Sequence, residues 1–471
     1  MKKYIFLIIA ISAAIFFFKA TTSYRMPPDY NYDSDFGRDL WMTEKITQGK
    51  FTLVGPQFSF AGLRLAPYHF YLFAPALALF NSYKAVVYAN GLLFIASLVL
   101  TFIILKQNYG RLYSFLATVW IMTTPFIILS ARSPGNAFTY LAFYLVYLTY
   151  FFTAKSRGTF MTFVMGAMAG VMVNYHPVNF LVVLVPFLTK EIFVHDRFTK
   201  NIFLSQLLYF SGFILTFVPV IVFELKHNFV LMKSFFGPAQ ADFITGAYLK
   251  TVGTLSHMVE LNDLSFTWIP VTGLGLFAII VMSYFEKRNS KMKSWFVSVI
   301  MITALFLVFG RTIAHYFFPT ILFLQLMLIF FVKEIKRSKL VMVSLIAVNL
   351  VFFPARFYKN ARNLGQTEKN FNSVIHKISL PKSGINTLLV NQTRLSAPGY
   401  EYRYLLTKNG YAVDDEYSYS SSENLLLVSE SGEIDWKRIS NWEMSQFGNK
   451  KLKSKAVAGK NVYYLFSKIS P

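Results

Sequence analysis

Cysteine is absent from the 471 residues. That excludes disulfides and thiolate metal sites, and it leaves the compartment open. Acidic side chains are scarce as well: Asp and Glu number 23, against 46 Lys and Arg. Charged residues make up only 15% of the chain, where soluble domains carry about a quarter. No Walker A sequence, G-x-G-x-x-G fingerprint, H-E-x-x-H or G-x-S-x-G occurs. Nucleotide-driven pumping and the common hydrolase chemistries therefore lack support. The formal net charge of +23 would suggest nucleic acid as the partner of a soluble domain. In a membrane protein the same excess has a simpler cause, because Lys and Arg collect in cytoplasmic loops and set topology. We expect membrane lipids as surroundings and no nucleic acid.

What the chain does have is long apolar runs, with 55% hydrophobic residues, 51 Phe and 28 Tyr. Runs fall near 4–20, 85–105, 112–130, 137–154, 159–175, 178–189, 203–223, 267–285, 294–309, 314–332 and 338–354. A span takes roughly 20 apolar residues, so these predict roughly eleven spans. The run at 65–80 is short and contains Pro67, Pro75 and His69, and is read as a re-entrant or interfacial helix. Lys2 and Lys3 precede the first run and no A-x-A-like site follows it, as expected of an uncleaved anchor.

With the N-terminus inside, alternate loops carry Lys106 and Arg111; Lys155 and Arg157; Lys190, Arg197 and Lys200; Lys287, Arg288, Lys291 and Lys293; and Lys333, Lys336, Arg337 and Lys339. Every inside loop is basic, as the positive-inside rule requires. The expected architecture is an all-α polytopic domain over 1–354 and a small α/β extracytoplasmic domain over 355–471, in the plasma (inner) membrane. In the tail, Ile385–Val390, Leu425–Val428 and Val462–Phe466 read as strands and Ser396–Lys408 as a short helix. Gly166 and Gly170 form a small-xxx-small pattern, read as a helix-packing face.

Up to residue 354 there are thirteen acidic residues. Nine fall in two long outer loops, near 21–84 and 224–266: Asp29, Asp33, Asp35, Asp39, Glu44, Glu224, Asp242, Glu260 and Asp263. Asp35 and Asp39 share a helix face, and Arg38 is spaced to pair with Asp35. Asp33, Ser34 or Asp35 could equally cap that helix. A carboxylate beside a cation at the membrane surface suits a general base, and partial shelter from water would strengthen it. Asp39 and Glu44 could offer oxygen ligands to a divalent cation, but no spacing demands one. No metal site and no cofactor is assigned. Arg311 with His315, Arg64 with His69, Arg132, His176, Lys226 and His227 lie near membrane ends. Such cations either snorkel to water or meet a lipid-borne phosphate.

The segment Asp35-Phe36-Gly37-Arg38-Asp39, with the helix running on to Gly49, resembles the D-x-x-R signature of the GT-C glycosyltransferases. The related groups are the protein O-mannosyltransferases and the lipid A aminoarabinose transferases. Val54-Gly55-Pro56 and Ala66-Pro67-Tyr68-His69-Phe70-Tyr71-Leu72 are similar to the segment that follows that signature. Pro219 through Phe223-Glu224 is similar to a P-x-x-x-F-E run at a later outer loop. Where some relatives carry a Lys just before the interfacial proline, this chain has Leu65-Ala66-Pro67, with Arg64 nearby.

The resemblance implies a polyprenyl-phosphate sugar donor and a glycan, lipid or protein acceptor at the outer boundary. Asp35 would deprotonate the acceptor hydroxyl, and configuration would invert. Arg38 would orient Asp35, and Asp39 would be a second carboxylate or a stabiliser of the helix start. Arg311, His315, Arg64 and His69 would meet the donor phosphate. The rival readings are a transporter or flippase, whose ionisable groups would sit at the bilayer midplane, a lipid-linked polysaccharide polymerase or ligase, and a non-catalytic scaffold.

The topology is directly testable. A reporter fused after Pro471 should be active only outside the cytoplasm, and one fused near Lys291 only inside. An externally inaccessible C-terminus would break the orientation.

Overall fold

The computed structural model describes residues 13–15, 17–18, 34–56, 64–153, 158–177, 179–194, 200–235, 318–351, 364–391, 394–439 and 441–469. The predicted spans at 267–285 and 294–309, and Arg311 and His315, lie outside the described residues. The helices of the first part are α1 (Ser34–Thr47), α2 (Tyr68–Phe80), α3 (Tyr83–Tyr109), α4 (Arg111–Met122), α5 (Pro125–Arg132), α6 (Asn136–Thr153), α7 (Thr159–Tyr175), α8 (Asn179–Val194), α9 (Lys200–Leu215), α10 (Val218–Lys226), α11 (Val230–Phe235), α12 (Phe318–Glu334) and α13 (Ser338–Val351). The tail adds α14 (Leu364–Ile375), β1 (Ile385–Asn391), β2 (Arg394–Ala397), α15 (Tyr400–Lys408), β3 (Asn424–Ser429), α16 (Trp442–Phe447), β4 (Lys450–Ala458) and β5 (Asn461–Lys468).

Packing groups these elements differently from their linear order. One compact unit holds Met1–Ser23, Thr52–His69 and Val87–Phe357. The other joins Tyr24–Phe51 and Phe70–Val86 to Tyr358–Pro471. The motif helix α1 thus belongs with the tail.

The first unit is helical. Among the described residues α3 is the one helix long and apolar enough to cross a membrane unaided. Two bent pairs meet the test together: Arg111–Met122 with Phe126–Arg132, bent by 66°, and Phe203–Leu215 with Val218–Lys226, bent by 53°. Among the described residues the count is therefore one to three by length and composition, and the roughly eleven spans expected from apolar runs are not confirmed. The breaks have a local cause. Pro125 and Pro219 lack the N–H a continuous helix needs and crowd the preceding turn. At the first break the freed polar groups find partners on other helices. Gln325 Nε2 donates to Thr124 Oγ1 at 2.6 Å, and Asn349 Nδ2 donates to Trp120 O and Thr123 Oγ1, each at 3.2 Å. Helix α2 has 13 residues, about 20 Å at 1.5 Å per residue, which is short of a bilayer core of about 30 Å.

The glycines of the GAMAG run do pack a helix. A Cβ on Gly166 would collide with the carbonyl of Tyr209, and one on Gly170 would meet Phe213 O at 2.6 Å. From the opposite side, Gly212 faces the Phe163 carbonyl just as closely. Helices α7 and α9 approach backbone to backbone, which only small residues permit. Tyr147 and Tyr209 share a buried hydroxyl–hydroxyl hydrogen bond of 2.8 Å beside this contact.

The second unit is built on a five-stranded sheet of order β2-β1-β3-β5-β4. Strands β1 and β3 are parallel, and the other pairs are antiparallel. The three central strands are the ones the sequence predicts. The predicted helix over 396–408 is shorter. Arg394–Ala397 is a strand, and α15 starts only after Gly399, whose φ of +61° suits glycine and interrupts a helix.

The α7–α9 contact makes a prediction. Gly166→Ala should lower thermal stability in detergent by about 1–3 kcal/mol, the usual cost of overpacking. Gly158→Ala, with open space around it, should leave the melting temperature unchanged. Equal melting of the two variants would refute the close contact.

Candidate active site around the first-loop motif

Helix α1 starts at Ser34, so Asp35 sits in its first turn. The Asp35 side chain is 65% exposed, whereas that of Asp39 is 3% exposed and that of Arg38 12%. Burying a cation costs free energy unless anions match it. Asp39 supplies most of the match, accepting from Arg38 Nε at 3.1 Å and from the NH2 nitrogen at 2.8 Å. The remaining NH1 donates to Asp35 at 3.1 Å. Burial works against the Arg38 charge, but the Asp39 and Asp35 carboxylates outweigh it and hold the guanidinium above its ordinary value.

Two readings of the motif change. The carboxylate sheltered from water is Asp39, not Asp35. Asp39 also lies beyond the first turn, where the helix dipole has faded, and it anchors Arg38 instead. The arrangement is a solvent-facing carboxylate held by an arginine whose position is fixed from below.

Farther along α1, Trp41 is 1% exposed and has two cations close to its ring. Lys45 Nζ stands 3.6 Å from its ring centroid and the Arg403 guanidinium 5.1 Å. Burial lowers Lys45 to about 8, partly countered by Asp415. Glu44 is raised by burial and gains a hydrogen bond from Gln48 at 3.1 Å. Among the described residues no three His, Asp or Glu side chains group to hold a metal ion.

Arg64 and His69 belong to the other unit. His69 is 2% exposed and meets Tyr175 edge-on at 5.4 Å. The segments on either side of the first loop's return are clipped together there. Gly55 N donates to Leu65 O at 2.6 Å, and a Cβ on Gly55 would lie 2.8 Å from Ala66 O. Ala66 N donates to Asn174 Oδ1 at 2.8 Å. Glu224 caps α11, accepting from Leu231 N and Met232 N at 2.9 Å each, a structural use of that carboxylate.

What the sequence did not indicate is the part played by the tail. Tyr400, Glu401 and Arg403 lie on α15, the helix that packs on α1. The available signal was the Tyr400-Glu401-Tyr402-Arg403-Tyr404 stretch, whose aromatic and charged residues are too costly to bury without a purpose. Glu401 and Arg403 are both 0% exposed.

No protein-family model matches the sequence, and no curated protein matches it significantly. Solved structures match over nearly the whole chain. Apo ArnT from Cupriavidus metallidurans superposes with a TM-score of 0.62 at 10% identity, covering 99% of this chain and 98% of that one. The same protein bound to undecaprenyl phosphate gives 0.60 at 12% identity, with 98% of each chain covered. Identity this low speaks to fold alone. ArnT is a lipid A aminoarabinose transferase, within one of the two groups that the first-loop motif resembles, and this chain shares the fold of ArnT.

Proposed function

We propose that the chain is a membrane glycosyltransferase that moves a sugar from a polyprenyl-phosphate donor to an acceptor hydroxyl at the outer membrane–water boundary. The observation that carries this reading is the exposed Asp35 carboxylate held 3.1 Å from an Arg38 that is itself clamped to buried Asp39. Support comes from the fold, shared with a protein whose structure is known with undecaprenyl phosphate bound.

In the reaction, Asp35 takes the proton of the acceptor hydroxyl as that oxygen attacks the anomeric carbon. The bond from that carbon to the phosphate oxygen breaks, configuration inverts, and polyprenyl phosphate leaves. Arg38 keeps the carboxylate aimed, which is how positioning lowers a barrier. Cations near the leaving phosphate offset its growing charge, and Arg311, His315, Arg64 and His69 are proposed for that task. A transporter would concentrate ionisable groups at the bilayer midplane, whereas the charged cluster here is on a loop helix packed with the tail domain. A polymerase or ligase acting on longer lipid-linked glycans shares the chemistry, and nothing in the site favours it.

Asparagine at position 35 keeps the size and cannot take up the proton. Asp35→Asn should therefore cut transfer by about 10²–10⁴-fold at unchanged protein level and donor affinity. Asp39→Asn strips Arg38 of its buried partner and should also destabilise the fold, by about 3 kcal/mol. Near-normal turnover of Asp35→Asn at equal protein level would remove this residue from the mechanism.

A further inference from the structure

Helix α2 has no Asp, Glu, Lys or Arg, and both of its sides are apolar. One side is covered. Phe70, Phe73 and Leu77 are 2% exposed or less, and Phe70 and Ala74 pack on Ile46 of α1, with Met42 and Tyr71 against them. On the other side Leu72, Pro75 and Leu79 recur at helical spacing and are all exposed. Leu79 is 77% exposed and the neighbouring Phe80 71%. Phe51, just past the end of α1, adds to this surface. It is 76% exposed, and its ring stacks at 6.4 Å on that of Tyr71.

The chain itself indicates what covers that side. A helix that is apolar all round sits in a protein core or in lipid. The exposed side is not core, which leaves lipid. Only Asn81 and Ser82 separate α2 from α3, a helix long and apolar enough to cross a membrane. The end of α2 is thus within about 10 Å of chain from that span. At 13 residues α2 is too short to cross, so it meets the bilayer with its side. Lys50 and Lys84, beside Phe51 and the α2–α3 turn, are exposed as well. Cations next to an apolar face suit lipid phosphates.

We propose that the face of α2 carrying Leu72, Pro75, Leu79 and Phe80, together with Phe51, lies flat in the headgroup layer of a phospholipid bilayer. The last turns of the motif helix ride on its opposite side. Because α1 packs there through Met42 and Ile46, those turns stand about 8–10 Å, one helix spacing, farther from the lipid than α2 does. The motif helix is thereby seated on the membrane by α2 and Phe51, and not only by the span that follows. The proposal goes beyond the transferase reading and does not depend on it.

The chain has no cysteine, so one introduced thiol gives a unique probe. The full chain is placed in nanodiscs of phosphatidylethanolamine and phosphatidylglycerol. It carries an environment-sensitive fluorophore at Leu72→Cys, Leu79→Cys or Phe51→Cys, with Lys451→Cys on the exposed edge strand as the reference. All four side chains are exposed, so melting temperatures should match the wild type. Spin labels on the lipids should quench the first three probes strongly. Iodide should quench them about fivefold less than the reference, as burial by about 5–10 Å at the headgroup–acyl boundary requires.

The probes at Leu72 and Leu79 should also report the same depth. They lie seven residues apart, about 10 Å along the axis. A difference in depth of that size would mean that α2 plunges into the bilayer core, and would overturn the flat seating. Iodide quenching at all three positions as strong as at position 451 would show water over the face. Protection from both quenchers would show protein over it, a second copy or another part of this chain. Either result overturns the proposal.

Discussion

An arginine largely withdrawn from water needs an anion, and on the motif helix that need organises the surroundings. Arg38 is 12% exposed and cannot stay there without Asp39, whose carboxylate takes two of its donors. With that pair fixed, the third donor can hold an exposed Asp35 without burying it. The pair is under cover because α15 lies against α1, and α15 can come so near only because position 37 has no side chain. Glycine in the motif is thus a packing requirement of the tail. The α7–α9 contact of the other unit follows the same rule, with three glycines setting the approach.

The sheet was legible where burial leaves a clear mark. Ile385–Asn391, Asn424–Ser429 and Asn461–Lys468 are the central strands, and their apolar runs announce them. Strand β4 was missed because it is an edge. Lys451, Lys453 and Lys455 alternate along one exposed face, a charge pattern that keeps an edge from pairing with other chains and that reads as loop by composition. The broken helices were missed because an apolar run carries no record of a bend. Only Pro125 and Pro219 mark the places, and the polar partners that make the first bend tolerable, Gln325 and Asn349, are about two hundred residues away.

Within the site, the helical spacing of Asp35 and Arg38 was readable. The preference of Arg38 for Asp39 was not, since adjacent residues on a helix do not face each other. The long Arg38 side chain folds back to reach its neighbour, which only the packing around it can dictate. The contacts of Tyr400 and Glu401 with the motif helix were out of reach of any local rule, both residues lying more than three hundred positions away and being brought to it by the tail's fold. Two stretches of the first loop, Tyr24–Phe51 and Phe70–Val86, form one packed unit with the C-terminal domain, and a division by chain order cannot show that.

If the chain carries a sugar-transfer site for a lipid-phosphate donor, its loss must show in the cell envelope. Mass analysis of envelope glycans and lipids tests it most directly, in otherwise identical cells with and without the chain. One sugar-bearing species should disappear without the chain and return when it is restored, while a polyprenyl-phosphate sugar accumulates in its absence. Identical glycan profiles and an unchanged pool of lipid-linked sugars would contradict it.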